Sequence, residues 1–241
     1  MLRLEGVHAA YGPVHVLFGI DLYVGDGEIV ALLGTNGAGK TTILRVISGV
    51  LKPTTGDVVW NDGSILGQRP PDIVKKGIVQ MPGGRGVFPG MTVYENLEIA
   101  GFLYGRDYGL RRRMINRVFE TFPVLAQRRH QMAGSMSGGQ QQMLTLAKTF
   151  VMDPKLLLID ELSLGLAPVI VEDLLEIVRR LNAQGVGVVL VEQHVDLALD
   201  IASRAYFLER GEIRFSGPSE QLRGRDDLLR SVFLAGQTIS G

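Results

Sequence analysis

Residues Glu28 to Val50 read EIVALLGTNGAGKTTILRVISGV. The middle of this run, GTNGAGKTT from Gly34 to Thr42, stands between an unbroken apolar segment of strand type and an apolar-periodic segment of helix type. Gly34-x-x-x-x-Gly39-Lys40-Thr41 is the complete phosphate-loop pattern in the context it needs, a buried strand before and a helix after. Glycines let the backbone wrap tightly, so the N–H groups of Thr35, Asn36, Gly37, Ala38 and Gly39 turn inward toward phosphate oxygens. The following helix contributes unpaired N–H groups and its positive dipole end. Lys40 reaches the β and γ phosphates, the Thr41 hydroxyl suits a Mg²⁺ position, and Thr42 is a secondary phosphate contact.

Outward from this stretch, short β-like runs broken by glycine fill the first thirty residues, LRLEGVHAAYG and VHVLFGIDLYV among them. GDVVWNDGSIL predicts a hairpin turning at Asn61-Asp62-Gly63, and KGIVQMP predicts a short strand. From about Phe88 the period becomes helical. Thr92 and Glu95 have capping-box spacing, and Leu110, Met114, Val118 and Phe122 repeat on one helix face up to Pro123. QQQMLTLAKTFV predicts a further helix after Ser137-Gly138-Gly139, so residues 88–151 form a helical subdomain. Strands and helices then alternate through KLLLIDE, VIVEDLLEIVRRLNAQ, VGVVLVEQ, VDLALDIAS and the hairpin AYFLERGEIRFSG. Buried runs separated by amphipathic helices indicate a parallel sheet covered on both faces. The expectation is one α/β unit over residues 1–241 with an inserted helical subdomain and a helical tail over about 217–241.

KLLLIDE delivers Asp160 and Glu161 at the end of an apolar strand expected beside the P-loop strand. There Asp160 can hold Mg²⁺ through water, and Glu161 can polarise an attacking water as general base. Without a P-loop, such a pair reads as a solvated strand end. The turn Ser137-Gly138-Gly139-Gln140 is a second anion cradle at a helix start, and it carries no lysine. Such a turn can complete the coordination of a γ-phosphate held elsewhere.

Taken together, these motifs resemble the ATP-binding subunits of ABC transporters over nearly the whole chain. Gly34 to Thr41 match the Walker A loop, Met136 to Gln140 (MSGGQ) the signature with Met136 for the usual leucine, and Asp160 and Glu161 the Walker B acid and catalytic glutamate. Tyr11 matches the aromatic that stacks on adenine, Gln80 the glutamine-loop position that meets the γ-phosphate and Mg²⁺, and Ser163 to Leu166 the D-loop. The resemblance implies a P-loop NTPase (RecA-like) parallel-sheet core with an N-terminal antiparallel β subdomain. It also implies ATP and Mg²⁺ as cofactors and head-to-tail pairing with a second ATP-binding subunit, identical or paralogous. Membrane permease subunits and a substrate-binding protein are the further partners implied, at the cytoplasmic face of the membrane. GRGVFPGMTVYENLEIAG and LSLGLAP look most like the branched-chain amino acid importers, with urea and short-amide importers sharing that look.

Two positions depart from the family pattern. Leu162 stands where proline is usual, which restores a backbone N–H and relaxes the conformation required of Glu161. Gln193 occupies the place of the histidine that contacts the γ-phosphate, with His194 one residue later as the rival occupant or as a helix cap. The cluster Arg111, Arg112, Arg113 and Arg117 reads as a solvated helix face, with lipid headgroups or an acidic partner as the other reading.

Composition bounds the rest. The 241 residues carry 25 basic and 25 acidic side chains, so no global charge steers the chain to nucleic acid. There is no cysteine, which excludes disulfides and thiolate chemistry. No run of about 18 apolar residues is present and the N-terminus is not of signal-peptide type, so another chain is expected to cross the membrane. Three rivals stay open: a non-transport ABC ATPase, which would carry coiled-coil insertions or duplicated cassettes; a regulatory module that binds without hydrolysing; and an exporter or lipid-handling subunit.

Overall fold

The computed structural model describes residues 1–84, 86–225 and 227–229. The chain opens with β1 (Leu2–Tyr11) and β2 (Val14–Val24), which pair antiparallel and bury alternate residues such as Leu2, Leu4, Val7 and Ala9. β3 (Ile29–Gly34) is buried along its whole length and leads through the glycine loop into α1 (Lys40–Ile47). β4 (Thr55–Trp60) and β5 (Gly63–Ser64) complete a four-stranded antiparallel sheet of order β2-β1-β4-β5. Their turn is one residue tighter than expected. Asn61 and Asp62 both take positive φ (48° and 64°), as a two-residue hairpin turn demands, and Gly63 already pairs with Trp60.

α2 (Pro70–Lys75) and β6 (Ile78–Met81) precede a helical stretch of α3 (Val93–Ala100), α4 (Tyr108–Thr121), α5 (Pro123–Gln127) and α6 (Gly138–Val151). Thr92 and Glu95 form a reciprocal capping box on α3. Met114, Val118 and Phe122 are buried, so the face they share is the packed one. The arginines of α4 do not share a face. Arg111 turns inward between the rings of Phe102 and Tyr108 and donates to the carbonyls of Gly101 and Gly105 (3.2 and 2.6 Å), while Arg117 pairs with Asp153 on the surface.

β7 (Leu156–Asp160), α7 (Pro168–Ala183), β8 (Gly187–Val191), α8 (Val195–Ile201), β9 (Arg204–Glu209), β10 (Glu212–Pro218) and α9 (Ser219–Arg223) follow. The six-stranded sheet has the order β10-β9-β3-β8-β7-β6, parallel throughout except for the edge strand β10. This corrects the expectation that the Asp160 strand lies beside the P-loop strand: β8 stands between them. Within the expected helical tail, residues 217 and 218 belong to β10, α9 accounts for Ser219–Arg223, and residues 230–241 lie outside the described residues.

Successive residues of the central strands feed opposite cores. Ala31 and Leu33 of β3 join Leu157 and Ile159 of β7 against α6, α7 and α8. Val30 and Leu32 join Leu156 and Leu158 against α1 and the antiparallel sheet. That parity aims Asp160, two residues past Leu158, at the face where α1 packs.

Candidate functional site

Gly34 ends β3 at φ 148°, in register with Leu208 of β9. A Cβ there would stand 2.0 Å from the Leu208 carbonyl oxygen, so only glycine permits this close pairing. Gly39 occupies the N-cap of α1 at φ 107° and offers no side chain to the first-turn N–H groups. A helix start left uncapped by its own residues is an anion-binding end. Lys40 is buried and folds back, its Nζ donating to the carbonyls of Gly34 (2.8 Å) and Thr35 (3.0 Å). Burial lowers its pKa, and the charges of Glu161 and Asp160 pull it up again; the net shift is downward.

Thr41 Oγ1 donates to Asp160 Oδ1 at 3.3 Å. Burial raises the Asp160 pKa, opposed by the Thr41 hydrogen bond, with the Glu161 carboxylate adding to the rise. A hydroxyl and a carboxylate that lacks full compensation are the oxygen donors a hard divalent cation takes, so these two residues fit Mg²⁺.

Glu161 follows at φ 55°, in the left-handed region where a non-glycine residue costs about 1–2 kcal/mol. That conformation lies outside the extended region to which a residue before proline is held, in keeping with the release expected from Leu162. Leu162 is fully buried and pins the turn, while the Glu161 N–H donates to the Val191 carbonyl at 2.9 Å. Its carboxylate Oε1 accepts from Gln193 Nε2 at 2.7 Å.

Asn36, Gly37, Gly39, Lys40, Thr41, Thr42, Val16, Glu161 and Gln193 line one open cleft of ≈ 330 Å³. Thr35 and Ala38 lie behind it: Thr35 accepts from Lys40, and the Ala38 carbonyl accepts from the Gly211 N–H at 3.0 Å. His194 does not line the cleft; it holds the N-cap position of α8 and makes no side-chain capping bond. Tyr11 lies at the end of β1, its hydroxyl accepting from Arg45 Nη1 (2.9 Å) on α1. Burial raises the Tyr11 phenol, but hydrogen bonds with Thr42 and Arg45 outweigh it and the net shift is downward. Gln80 sits on β6 opposite Leu158 and is not among the residues that line the cleft. Ser137 caps α6 in a reciprocal box with Gln140 (3.3 and 3.2 Å), and Gly139 packs so tightly on Ile170 of α7 that a Cβ would come within 2.7 Å. None of Ser137, Gly138, Gly139 or Gln140 lines the cleft.

Sequence reading missed Glu192. It is buried and accepts from the Ser163 N–H (3.0 Å) and the Ser163 hydroxyl (2.6 Å). The signal was present: VGVVLVEQ is an apolar strand ending in an acid, the pattern that marked Asp160. Burial pushes its pKa up, against the hydrogen bonds from Ser163 and from the Gln193 backbone.

A buried parallel strand opening into an amide cradle, a helix rising behind it, and acids from neighbouring strand ends define a P-loop nucleoside triphosphatase. The family model described as ABC transporter matches residues 17–163, and the chain belongs to that family as an ATP-binding, ATP-hydrolysing subunit of a transporter. It is 42% identical over 214 residues to the high-affinity branched-chain amino acid transport ATP-binding protein BraG of Pseudomonas aeruginosa, covering 88% of this chain and 91% of that protein. The probable branched-chain amino acid transport ATP-binding protein LivF of Archaeoglobus fulgidus is 34% identical over 223 residues, 92% of this chain and 94% of its own. A solved ATP binding subunit of an ABC transporter superposes with a TM-score of 0.82 at 26% identity, covering 97% of this chain and 98% of that one.

Proposed function

We propose that the chain energises a branched-chain amino acid importer, and that two copies, or this chain and a paralogue, close head to tail around two ATP molecules. The observation that carries this reading is a separation. Lys40, Thr41, Glu161 and Gln193 share one cleft, while the Ser137–Gln140 turn stays outside it. A turn outside that lining can meet the γ-phosphate when it comes from another protomer, and a two-fold pair satisfies both sites with the same two patches.

In the closed pair Lys40 leaves its loop carbonyls for the β and γ phosphates, and the α1 N-terminus holds the same oxygens. Tyr11 stacks on the adenine, and Thr42 adds a phosphate contact. Glu161 accepts the proton of the attacking water, and its bond from Gln193 orients the carboxylate. Gln193 then donates its amide to the γ-phosphate, the role expected of a histidine at this place. Thr41 and Asp160, with Gln80, would hold Mg²⁺, which would supply charge neutralisation on the transferring phosphoryl group. Loss of the γ-phosphate removes the bridge between protomers, and the open pair follows.

Among the described residues no helix is long and apolar enough to cross a membrane. The membrane partner in this reading is a separate permease at whose cytoplasmic face the subunit sits, with the glycine-rich MPGGRGVFPG after Gln80 as its docking loop. The names of the similar BraG and LivF proteins support branched-chain amino acids as cargo. Light scattering of Glu161→Gln with ATP tests the mechanism: a stable dimer is expected, and a monomer at saturating ATP rejects it. Copurification with the permeases of the same cell, followed by leucine uptake in proteoliposomes, tests the cargo.

A further inference from the structure

We propose that Glu192 is a positioning residue for hydrolysis, holding the catalytic turn Glu161–Ser163 in its working shape through Ser163. The inference deepens the reading of Glu161 as general base and rests on it.

Three consecutive residues at the end of β8 grip two residues, Glu161 and Ser163, just past the end of β7. The Val191 carbonyl accepts the Glu161 N–H at 2.9 Å, and Gln193 Nε2 donates to the Glu161 carboxylate at 2.7 Å. Between them Glu192 receives both donors of Ser163, the backbone N–H on Oε1 at 3.0 Å and the hydroxyl on Oε2 at 2.6 Å. Both residues are buried, and so is Leu162 between the two gripped positions. Glu161 itself sits at φ 55°, a conformation its side chain disfavours, so the turn stays put only if something outside it holds both ends. β8 does this once through the main chain and twice through side chains.

The chemistry selects this residue type. Two donors from one serine converge on two oxygens, which a carboxylate accepts side by side and a hydroxyl or single carbonyl cannot. Burial raises the Glu192 pKa, against the hydrogen bonds it accepts from Ser163. Aspartate is one methylene shorter and cannot span to both donors from the same backbone. Glutamine keeps the length: its carbonyl accepts the Ser163 N–H while its amide donates to the hydroxyl, which turns to accept.

Steady-state ATP hydrolysis by the purified full chain tests the proposal. Glu192→Ala is expected to lower kcat about 10- to 100-fold, with KM for ATP changed less than about threefold, the signature of a misplaced general base rather than lost binding. Glu192→Gln should recover most of that rate and Glu192→Asp little of it. Ser163→Ala, which removes one of the two bonds, should lower kcat by a few fold at unchanged KM. Wild-type kcat in Glu192→Ala overturns the proposal, as does a fall in which KM and kcat change together. Should Glu192→Ala fail to fold, Ser163→Ala and Glu192→Gln carry the test, and wild-type turnover in Ser163→Ala overturns it. Glu161→Gln run alongside separates the two readings. Full activity there rejects the general base itself; an inactive Glu161→Gln beside fully active Glu192→Ala and Ser163→Ala rejects only the grip.

Discussion

Two glycine turns open helices in this molecule, and they are finished differently. At Gly34–Gly39 the N-cap is a glycine at φ 107°, no side chain closes the helix start, and Lys40 waits on its own loop carbonyls. At Ser137–Gly139 the N-cap serine and Gln140 satisfy each other across a capping box. The first turn is an anion site assembled within one chain. The second is a self-sufficient helix start, its Gly139 packed closely on Ile170 of α7; in the proposed function it is the turn that a second protomer's nucleotide meets. If the proposed pairing holds, the contrast separates ATP binding, which the first turn serves within one chain, from hydrolysis, which calls on the second turn of a partner.

The contrast can be broken in several ways. Removing the charge from the first turn has the largest effect: Lys40→Ala should weaken ATP binding about 10- to 100-fold, the worth of a charge-assisted hydrogen bond, measured by calorimetry on the monomer. Equal affinity in wild type and variant would mean Lys40 stays on its loop carbonyls. Next, Gln193→Ala should slow hydrolysis on the order of tenfold, at the low end of what a misoriented base costs. His194→Ala, at a position outside the cleft, should leave turnover near wild type. The reverse ranking would return the switch role to His194.

A smaller change probes the second turn. Ser137→Ala removes the cap and should cost about 1 kcal/mol of stability, read by denaturant unfolding, while monomeric ATP affinity stays put and dimer-dependent hydrolysis falls. Lost monomer affinity would place the serine in the first site after all. The smallest effect concerns pH. The Glu192 pKa is raised in the fold, so its ionisation counts against folding: the penalty is absent below the ordinary carboxylate range of about 4 and grows as pH rises through the folded value. Glu192→Gln lacks that penalty, and its Tm relative to wild type should be higher at pH 8 than at pH 5. A gap that narrows toward pH 8 would contradict the raised pKa.

Much of the site was legible in the primary structure because amide cradles and capped helix starts are local. The phosphate loop, the Ser137 turn and the Thr92 capping box each need a few neighbouring residues, and their residue types betray them. The strands β7 and β8 were legible as unbroken apolar runs. Less visible was Glu192, since an acid after a strand carries no meaning until its partner is known. Leu162 frees Glu161 from the extended region imposed before proline, but which conformation the freed residue takes, positive φ beside a buried Leu162, is decided by tertiary packing. The arginines of α4 looked like one solvated cluster because charge is visible in sequence and direction is not; Arg111 points inward.

The chain's own order of residues determined that it holds a triphosphate, because successive backbone N–H groups make that cradle and glycine is what lets them converge. Tertiary structure alone decided the chemistry around it. Thr41 meets Asp160 across 119 residues, Gln193 meets Glu161 across 32, and Ser163 meets Glu192 across 29. Those meetings depend on β8 inserting between β3 and β7, and strand order is set by long-range packing of two apolar faces, which no local pattern records.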